Sequence, residues 1–425
     1  MARISFALVV IAAALGWIAT GAHAQQASQD RHATSTLVVA TFPDLDRAAK
    51  AASASWARLH PDITLKIVSL QYPDHHTAMT AALATGSGLP DVMAVDFRFI
   101  GKFAASGGLE DLAAPPYNGL ALRDRFARYS FPQAMNPKGG LAAIPADIGP
   151  GTLLYRKDII ERAGVTEADL TRSWESFIEA GKKIRAKTGA YLLANAADIR
   201  DIVIRSGLAD GDGIYFDANG KVLVQSPRFV KAFELGRAAR QAGLDAGAPA
   251  WTNEWTTGLR QGRVATQMMG SWLTGHLKNW IAPASSGLWR STVLPGGINA
   301  SYGGSFYAIP KQAANKAAAW QFIQLMTTDL QTQVNSLRVL DSFPALLAAQ
   351  NDPFFDEPIE YLGGQPARRL WREIAAKVPA IAVNKYDSMA TDMIRAEFEE
   401  VLTEGKPIAK ALADAKLLIE HRARR

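Results

Sequence analysis

The chain has 425 residues, 48% of them hydrophobic and 20% charged, enough for two or three domains around a sizeable core. It has no cysteine, which excludes disulfides, a thiol nucleophile and a lipid-modified cysteine anchor. The net charge is only +6, with no Lys/Arg run outside the tail His421-Arg422-Ala423-Arg424-Arg425, which argues against nucleic acid as a partner.

At the amino terminus Arg3, an uncharged apolar run over residues 4–19 and the triplet Ala22-His23-Ala24 follow the order of a secretory signal, with cleavage expected after Ala24. A membrane anchor is the alternative, but the run is shorter than the ~20 residues a span needs. Losing one basic and no acidic residue takes the charge of the mature chain from +6 to +5. No later segment reaches spanning length, so the expectation is an exported, freely diffusing periplasmic protein that is not membrane-embedded.

After a polar leader over 25–35, residues 36–42 (TLVVATF) predict a strand, and Leu45, Ala49, Ala52, Trp56 and Leu59 then recur at helical spacing. A second strand is predicted over 64–70, a helix around Met79 and Leu83, and a third strand over 91–95. Such alternation predicts the α/β class, with a parallel or mixed sheet covered on both faces. In open sheets of this kind ligands bind beyond the carboxyl ends of the strands, which directs attention to Phe42 and Asp44, to Tyr72, and to Asp96 with Phe97.

Residues 142–155 (AAIPADIGPGTLLY) set Pro145, Gly149, Pro150 and Gly151 inside a β-like passage, read as a first crossing between two lobes with Asp147 on it. A short helix over 156–163 follows, and Ser173 caps another in which Phe177, Ala180 and Ile184 share a face. Asp217-Ala218-Asn219-Gly220 predicts a tight hairpin turn. Ser226-Pro227 suits the start of a helix running to about Ala242. A strand is predicted over 263–269, and Gly270-Ser271-Trp272 opens the next helix. Residues 294–334 join a glycine-punctuated passage, with Tyr302, Phe306 and Tyr307 interleaved, to a helix carrying Ala319, Phe322, Ile323 and Met326 on one face. At the carboxyl end Ala390, Ile394, Phe398 and Val401 share a face, Gly405 and Pro407 stop that helix, and Leu412, Ala415 and Ile419 line the last one.

No GxxxxGK[ST], no GxGxxG after a strand, no HExxH and no GxSxG occurs, and no cofactor is expected. Among the histidines only His75 and His76 are adjacent, and neighbours on a helix point in different directions, which argues for surface residues over a metal pair. Asp210, Asp212 and Asp217 resemble part of a calcium loop, yet Ile214 and Tyr215 stand where a ligand and a glycine are required. What remains is a set of aromatics and acids at strand ends and crossings. A sugar presents an apolar C–H face and a fringe of hydroxyls, so its site needs aromatic plates and carboxylate acceptors. Asp44, Asp96 and Asp147 are the acceptors, each with a solvated or capping role as its alternative. They would also suit a polyol or a cationic polyamine. The rival from another class is a secreted carbohydrate-active enzyme in which two acids form a catalytic pair about 5–10 Å apart.

The passage GGSFYAIPKQAANKAAAWQFIQLM resembles the segment of family 1 extracellular solute-binding proteins that crosses back between two lobes beside the ligand. SGLPDVMAVD, AIPADIGPGTLLYRKDI, GRVATQMMGSW and EFEEVLTEGKPIAKALADA resemble the same family in the same order. That family includes maltose-binding protein and serves ABC importers. The resemblance implies the two-lobed periplasmic-binding-protein fold of type II, each lobe a mixed sheet flanked by helices, with three crossings. A first lobe would comprise 36–147 and 303–340, a second 152–298 and 345–425, with crossings near 147–152, 298–303 and, at Asp341-Ser342-Phe343-Pro344, near 340–345. It implies Trp272 as the stacking plate, with core packing as the alternative. It further implies Tyr302, Gly304, Ser305 and Phe306 from the glycine passage, Gly304 giving a ligand close backbone access, and Tyr386 near the carboxyl end. It also implies a monomer that catalyses nothing, binds a carbohydrate and delivers it to permease subunits and their ATPase. A chemoreceptor adaptor would differ only in its partner.

Overall fold

The computed structural model describes residues 35–136 and 138–424; the expected signal, the polar leader up to residue 34 and the last residue of the basic tail lie outside them. β1 (Ser35–Thr41) buries Leu37 and Val39 completely. It runs parallel to both neighbours, β2 (Ile63–Ser69) and β3 (Val92–Asp96). β3 is buried from Val92 to Val95, whereas β2, at the edge of the sheet, keeps one face wet. The helical pattern after β1 forms two helices, α1 (Leu45–Ala51) and α2 (Ser53–Leu59), broken at Ala52. Trp56 is buried beneath them, its indole N–H donating to the Ile63 carbonyl at 3.1 Å. α3 (Tyr72–Thr85) carries Pro73 in its first turn and stops at Gly86, whose φ of 69° suits a residue without Cβ. α4 (Ile100–Ala105) follows β3.

β4 (Ile144–Arg156) takes the chain from one lobe to the other. Its first half pairs antiparallel with β7 (Ser301–Ala308), its second half with β5 (Thr266–Gly270) and β6 (Trp289–Thr292). The strand order β2-β1-β3-β7-β4-β5, with β6 also on β4, makes the sheet mixed. β4 tolerates its prolines because the ladder shifts register between Pro145 and Asp147 and again between Ile148 and Pro150. Gly149 is needed for another reason: a Cβ there would stand 2.2 Å from the Tyr302 carbonyl oxygen. The Ile148 N–H donates to Phe343 O at 2.9 Å and Asp147 bridges Pro344, so stretches of β4, β7 and residues 341–344 lie side by side.

After β4 come α5 (Trp174–Thr188), capped by the Ser173 hydroxyl, which accepts the Ser176 N–H, then α6 (Ala197–Val203), α7 (Pro227–Gln241), α8 (Asn253–Arg260) and α9 (Leu273–His276). α10 (Lys316–Thr328), α11 (Leu330–Leu340), α12 (Ala367–Lys377), α13 (Asp387–Thr403) and α14 (Ile408–Ala423) complete the chain. Leu153, Tyr155 and Met268 join a core with residues of α5, α6, α7, α13 and α14. Leu154 and Met269, one residue further along their strands, belong instead to the core that holds β1, β3, β7, α10 and α12. Successive strand residues face opposite sides, so one ladder serves two cores. Among the described residues no helix is long and apolar enough to cross a membrane.

Several expectations change. β5 begins at Thr266, while Val264 makes only a parallel bridge to Tyr191. The hairpin at 217–220 is one bridge, Phe216 to Val222, with Gly220 at φ 78°. Ser226 precedes α7 in extended conformation, but its hydroxyl makes no capping bond. Ala345 O accepts the Ala127 N–H and Leu347 N donates to Arg125 O, which ties the chain just past 345 to residues 125–127. His75 and His76, read as surface residues, are each 1% exposed. They can be buried because their ring nitrogens have partners: His75 Nε2 lies 2.8 Å from Ala94 O, and His76 Nδ1 lies 2.8 Å from Tyr72 O.

Candidate functional site

Asp96, Ser305 and Asp147 stand abreast, because β3 and β4 pair with β7 on either side at the same residue. With strands about 4.8 Å apart, the two acids are roughly 10 Å apart at the backbone. Burial raises both carboxyls from 3.8 to about 6, and Asp96 adds a smaller push on Asp147. The Tyr72 hydroxyl donates to Asp96 Oδ1 at 2.8 Å, and the Arg98 N–H donates to the same oxygen at 2.9 Å. The Ser342 hydroxyl donates to Asp147 Oδ2 at 3.1 Å. His76 holds the end of β3 in place: its Nε2 accepts the Asp96 N–H at 3.2 Å while its ring stacks on Phe99 at 4.2 Å. Burial pushes the His76 imidazole down to about 3, so it stays neutral and can accept that bond.

Where β4 and β7 cross, the Trp272 indole N–H donates to the Tyr302 carbonyl at 2.8 Å. Glycines clear the space for that ring: a Cβ on Gly270 or Gly303 would stand 2.1 or 2.6 Å from its Nε1. Trp251 stacks on Trp272 with centroids 5.9 Å apart and planes at 15°, and His276 meets both rings edge-on. His276 Nε2 is 3.2 Å from Asp44 Oδ2 on the first lobe, and its Nδ1 accepts the Trp280 indole N–H at 3.0 Å. That bond assigns the proton of a neutral ring to Nε2. Burial lowers the His276 pKa, so the contact with Asp44 is a hydrogen bond from a neutral imidazole rather than an ion pair.

A polar wall faces these groups from the second lobe. The Arg205 guanidinium lies 5.7 Å from the Tyr302 ring centroid, and Arg200 grips Asp201 at 2.6 Å. Burial pushes the Asp201 carboxyl up, but Arg200 and Arg205 outweigh it and hold it below the ordinary range. Asp198 accepts from Gln267 Nε2 at 2.8 Å and is raised by burial to about 8. Asp387 is raised by burial to about 7, and its Oδ1 is buried without a hydrogen-bond partner. Arg98 reaches across to Asp392 at 3.6 Å, and Arg128 pairs with Asp210, so the lobes touch on this side too.

Of the twelve residues singled out from sequence, Asp44, Tyr72, Asp96, Asp147, Trp272, Tyr302 and Ser305 come together along the crossings. Phe42 is 7% exposed and buttresses Tyr72 edge-on at 5.6 Å. Phe306 is 1% exposed and belongs to the core, between Val95 and Pro145. Phe97 is half-buried, its N–H spent on Gly304 O at 2.9 Å. Gly304 lies close against β4, where a Cβ would stand 3.2 Å from Asp147 O. Tyr386 packs on Phe216 and lines a depression of about 380 Å³ with Val222, Glu420 and Arg424. Arg98, Trp251, Arg205, Asp201 and Asp387 escaped the sequence reading. The charges of ADIRDIVIR, set at helical spacing in an otherwise apolar segment, were the available signal for Asp201 and Arg205.

A family model described as bacterial extracellular solute-binding protein matches residues 40–333. The chain is similar to the lactose-binding protein of Rhizobium radiobacter, 28% identical over 379 residues that cover 85% of this chain and 86% of that protein. It is similar to the arabinooligosaccharide-binding protein of Bacillus subtilis (strain 168), 24% identical over 63% of each chain. Among solved structures, an extracellular solute-binding protein of family 1 superposes with a TM-score of 0.78 at 23% identity, covering 92% of this chain and 100% of that one. The ABC transporter associated binding protein from B. animalis subsp. lactis Bl-04, solved with beta-1,6-galactobiose, superposes at 0.75 and 23% identity, covering 91% and 97%. At this identity the superpositions show a shared two-lobed fold.

Proposed function

The chain belongs to the bacterial extracellular solute-binding protein family, and from that premise we propose that it captures a carbohydrate between its lobes and delivers it to the permease subunits and ATPase of an ABC importer. The observation that carries the reading is the alignment of two protonatable acids, Asp96 and Asp147, on either side of Ser305, with the Trp272 indole tied to the Tyr302 backbone further along β7. Carboxyls near pH 6 accept from sugar hydroxyls when ionised, and indole faces cover the C–H side of the ring. Ligand-binding names among the relatives, lactose and arabino-oligosaccharides, agree with this chemistry.

In this reading Tyr72, Asp96, Asp147, Ser305, Tyr302, Trp272 and Asp44 contact or frame the ligand, joined by Arg98, Arg205 and Asp387. Phe42, Phe97, Gly304 and Phe306 shape the walls from behind. The first lobe extends through the stretch after 345 that leans on 125–127, and the second takes up the chain before α13. Ligand contacts both lobes only when they meet, so binding favours the arrangement in which Arg98 reaches Asp392 and His276 reaches Asp44. The protein works as a monomer in the periplasm after removal of residues 1–24 and releases its ligand chemically unchanged.

Thermal-shift screening of the mature protein against monosaccharides, lactose, arabino-oligosaccharides, polyols and polyamines tests the proposal. A ligand at 100 times its dissociation constant adds about 2.7 kcal/mol of stability. Stabilisation by polyamines alone, or recovery of a cleaved sugar, would overturn it.

A further inference from the structure

Asp341 is ill-suited to its place on two physical counts. It ends α11 at φ 56° and ψ 23°, its N–H donating to Leu337 O at 2.9 Å, in the left-handed terminal position that glycine fills at least strain. It also sets a carboxylate, in a residue only 2% exposed, at the end of a helix whose free carbonyls already carry partial negative charge. Two cations gather on it: Lys278 Nζ lies 2.5 Å from Oδ2, and a guanidinium nitrogen of Arg368, on α12, lies 3.8 Å from Oδ1. Even so, Oδ1 and the Arg368 Nε are buried without a hydrogen-bond partner. A glycine would avoid the buried charge, the unpaired oxygen and the strain together, so ending the helix does not by itself account for an aspartate here.

What the carboxylate does is join two segments that each hold part of the candidate site. Lys278 lies in the wide π turn Leu277–Ile281 that continues α9, and Trp272 is the residue that opens that helix. On the other side, Asp341 is followed by Ser342, whose hydroxyl donates to Asp147 Oδ2 at 3.1 Å, and by Phe343, whose carbonyl accepts the Ile148 N–H at 2.9 Å. The two segments are pressed together, since a Cβ on Gly275 would stand 2.7 Å from Leu340 O and 3.1 Å from Asp341 Cβ. The Lys278–Asp341 pair fastens this contact. Arg368 adds a second charge from α12, its own guanidinium steadied by Phe354 O at 3.4 Å and Glu357 O at 3.3 Å.

We infer that Asp341 is a positioning residue of the binding site: with Lys278 it braces the helix that begins at Trp272 against the crossing segment that holds Asp147, and so sets the indole and the carboxyl at the separation the ligand needs. It acts through Lys278 and Ser342 rather than on the ligand itself. For what is bound the inference rests on the carbohydrate reading above, and it adds the group that fixes the geometry of that site. The buried charge and the left-handed turn are then costs of the brace, kept because a neutral residue in the same turn could not hold Lys278.

Amide hydrogen exchange of the ligand-free mature chain, with calorimetric titration of lactose and arabinotriose, tests this. Asp341→Asn keeps the turn and the side-chain shape without the charge, Lys278→Met keeps the stem without the charge, and Lys278→Arg keeps a cation. Asp341→Asn and Lys278→Met should each speed exchange over 272–281 and 341–343, and each should weaken binding of whichever sugar the wild type takes by about tenfold. The double variant should bind no more weakly than either single one, because both remove the same contact. Lys278→Arg should restore most of the affinity. A residue that only ends a helix would lower the melting temperature of Asp341→Asn and leave affinity within about twofold. That result would overturn the inference, as would unchanged exchange over 272–281 or losses that add in the double variant. The Lys278 side chain is 36% exposed, so the Lys278→Met and Lys278→Arg pair carries the test if Asp341→Asn does not fold. A wild type that binds neither sugar while its variants show the expected exchange would refute the carbohydrate reading and leave the brace standing.

Discussion

Asp147→Asn should make the ligand-free protein more stable at pH 8 and slightly less stable at pH 4. The Asp147 carboxyl is raised by burial from 3.8 to about 6. A group whose folded pKa lies above its unfolded one contributes stability below the unfolded value and loses it as pH rises through the folded value. The wild type therefore loses stability between roughly pH 4 and pH 6, by about 3 kcal/mol at pH 8 and only about 0.5 kcal/mol at pH 4. An amide does not ionise and escapes that loss. It keeps one acceptor oxygen, so one of the bonds now made to the carboxyl from Ser342 and Ser305 is given up, at about 1 kcal/mol. The net expectation is a gain of about 2 kcal/mol at pH 8 and a small loss at pH 4. Urea unfolding of both proteins across pH 4 to 8 reads the crossing directly, and titration at neutral pH should show weakened ligand binding in the variant. A variant offset from the wild type by the same amount at every pH, or less stable at pH 8, would refute the assignment of Asp147 as a carboxylate ionised at a cost and kept for its ligand.

Trp272→Ala should weaken sugar binding by about 2–4 kcal/mol, and it should also lower the unliganded melting temperature, because the indole N–H holds Tyr302 O. Trp272→Phe keeps a plate and should retain part of the affinity; near-normal affinity in a destabilised Trp272→Ala protein would assign the ring to packing alone. Gly303→Ala places a Cβ 2.6 Å from Trp272 Nε1 at φ 109°. It should cost about 1–3 kcal/mol from the backbone alone and displace the ring; a normal melting curve with normal affinity would contradict the packing described. Saturating ligand should reduce the radius of gyration in small-angle scattering, and no change from an initially extended state would argue against closure. Mass spectrometry of the exported protein should find a chain beginning at Gln25; a start far from it, or retention in the membrane fraction, would end the free periplasmic reading.

Local sequence was sufficient for the elements whose signal is local. Alternating exposure in β2, helical spacing in α10 and α13, the Ser173 cap and the glycine stop after α3 need only neighbours a few residues away to take shape. The proline and glycine pattern of 142–155 also announced an unusual strand, and Asp96, Asp147 and Trp272 could be singled out from strand ends and resemblance. Tertiary structure alone decided what those residues meet. Asp96 and Asp147 become neighbours because β7, returning some 150 residues after β4, sets Ser305 between them. Gly304 packs against the backbone of Asp147 and Ile148 for the same reason, a neighbour distant in sequence. The two histidines could enter the core only because Ala94 O, Tyr72 O and the Asp96 N–H wait for them there. The Trp251–Trp272 stack and the Arg98–Asp392 contact join residues that only the folded chain brings side by side. Hydrophobic periodicity records which face of an element is buried; it carries no record of which distant element buries it, and this site is made at those distant meetings.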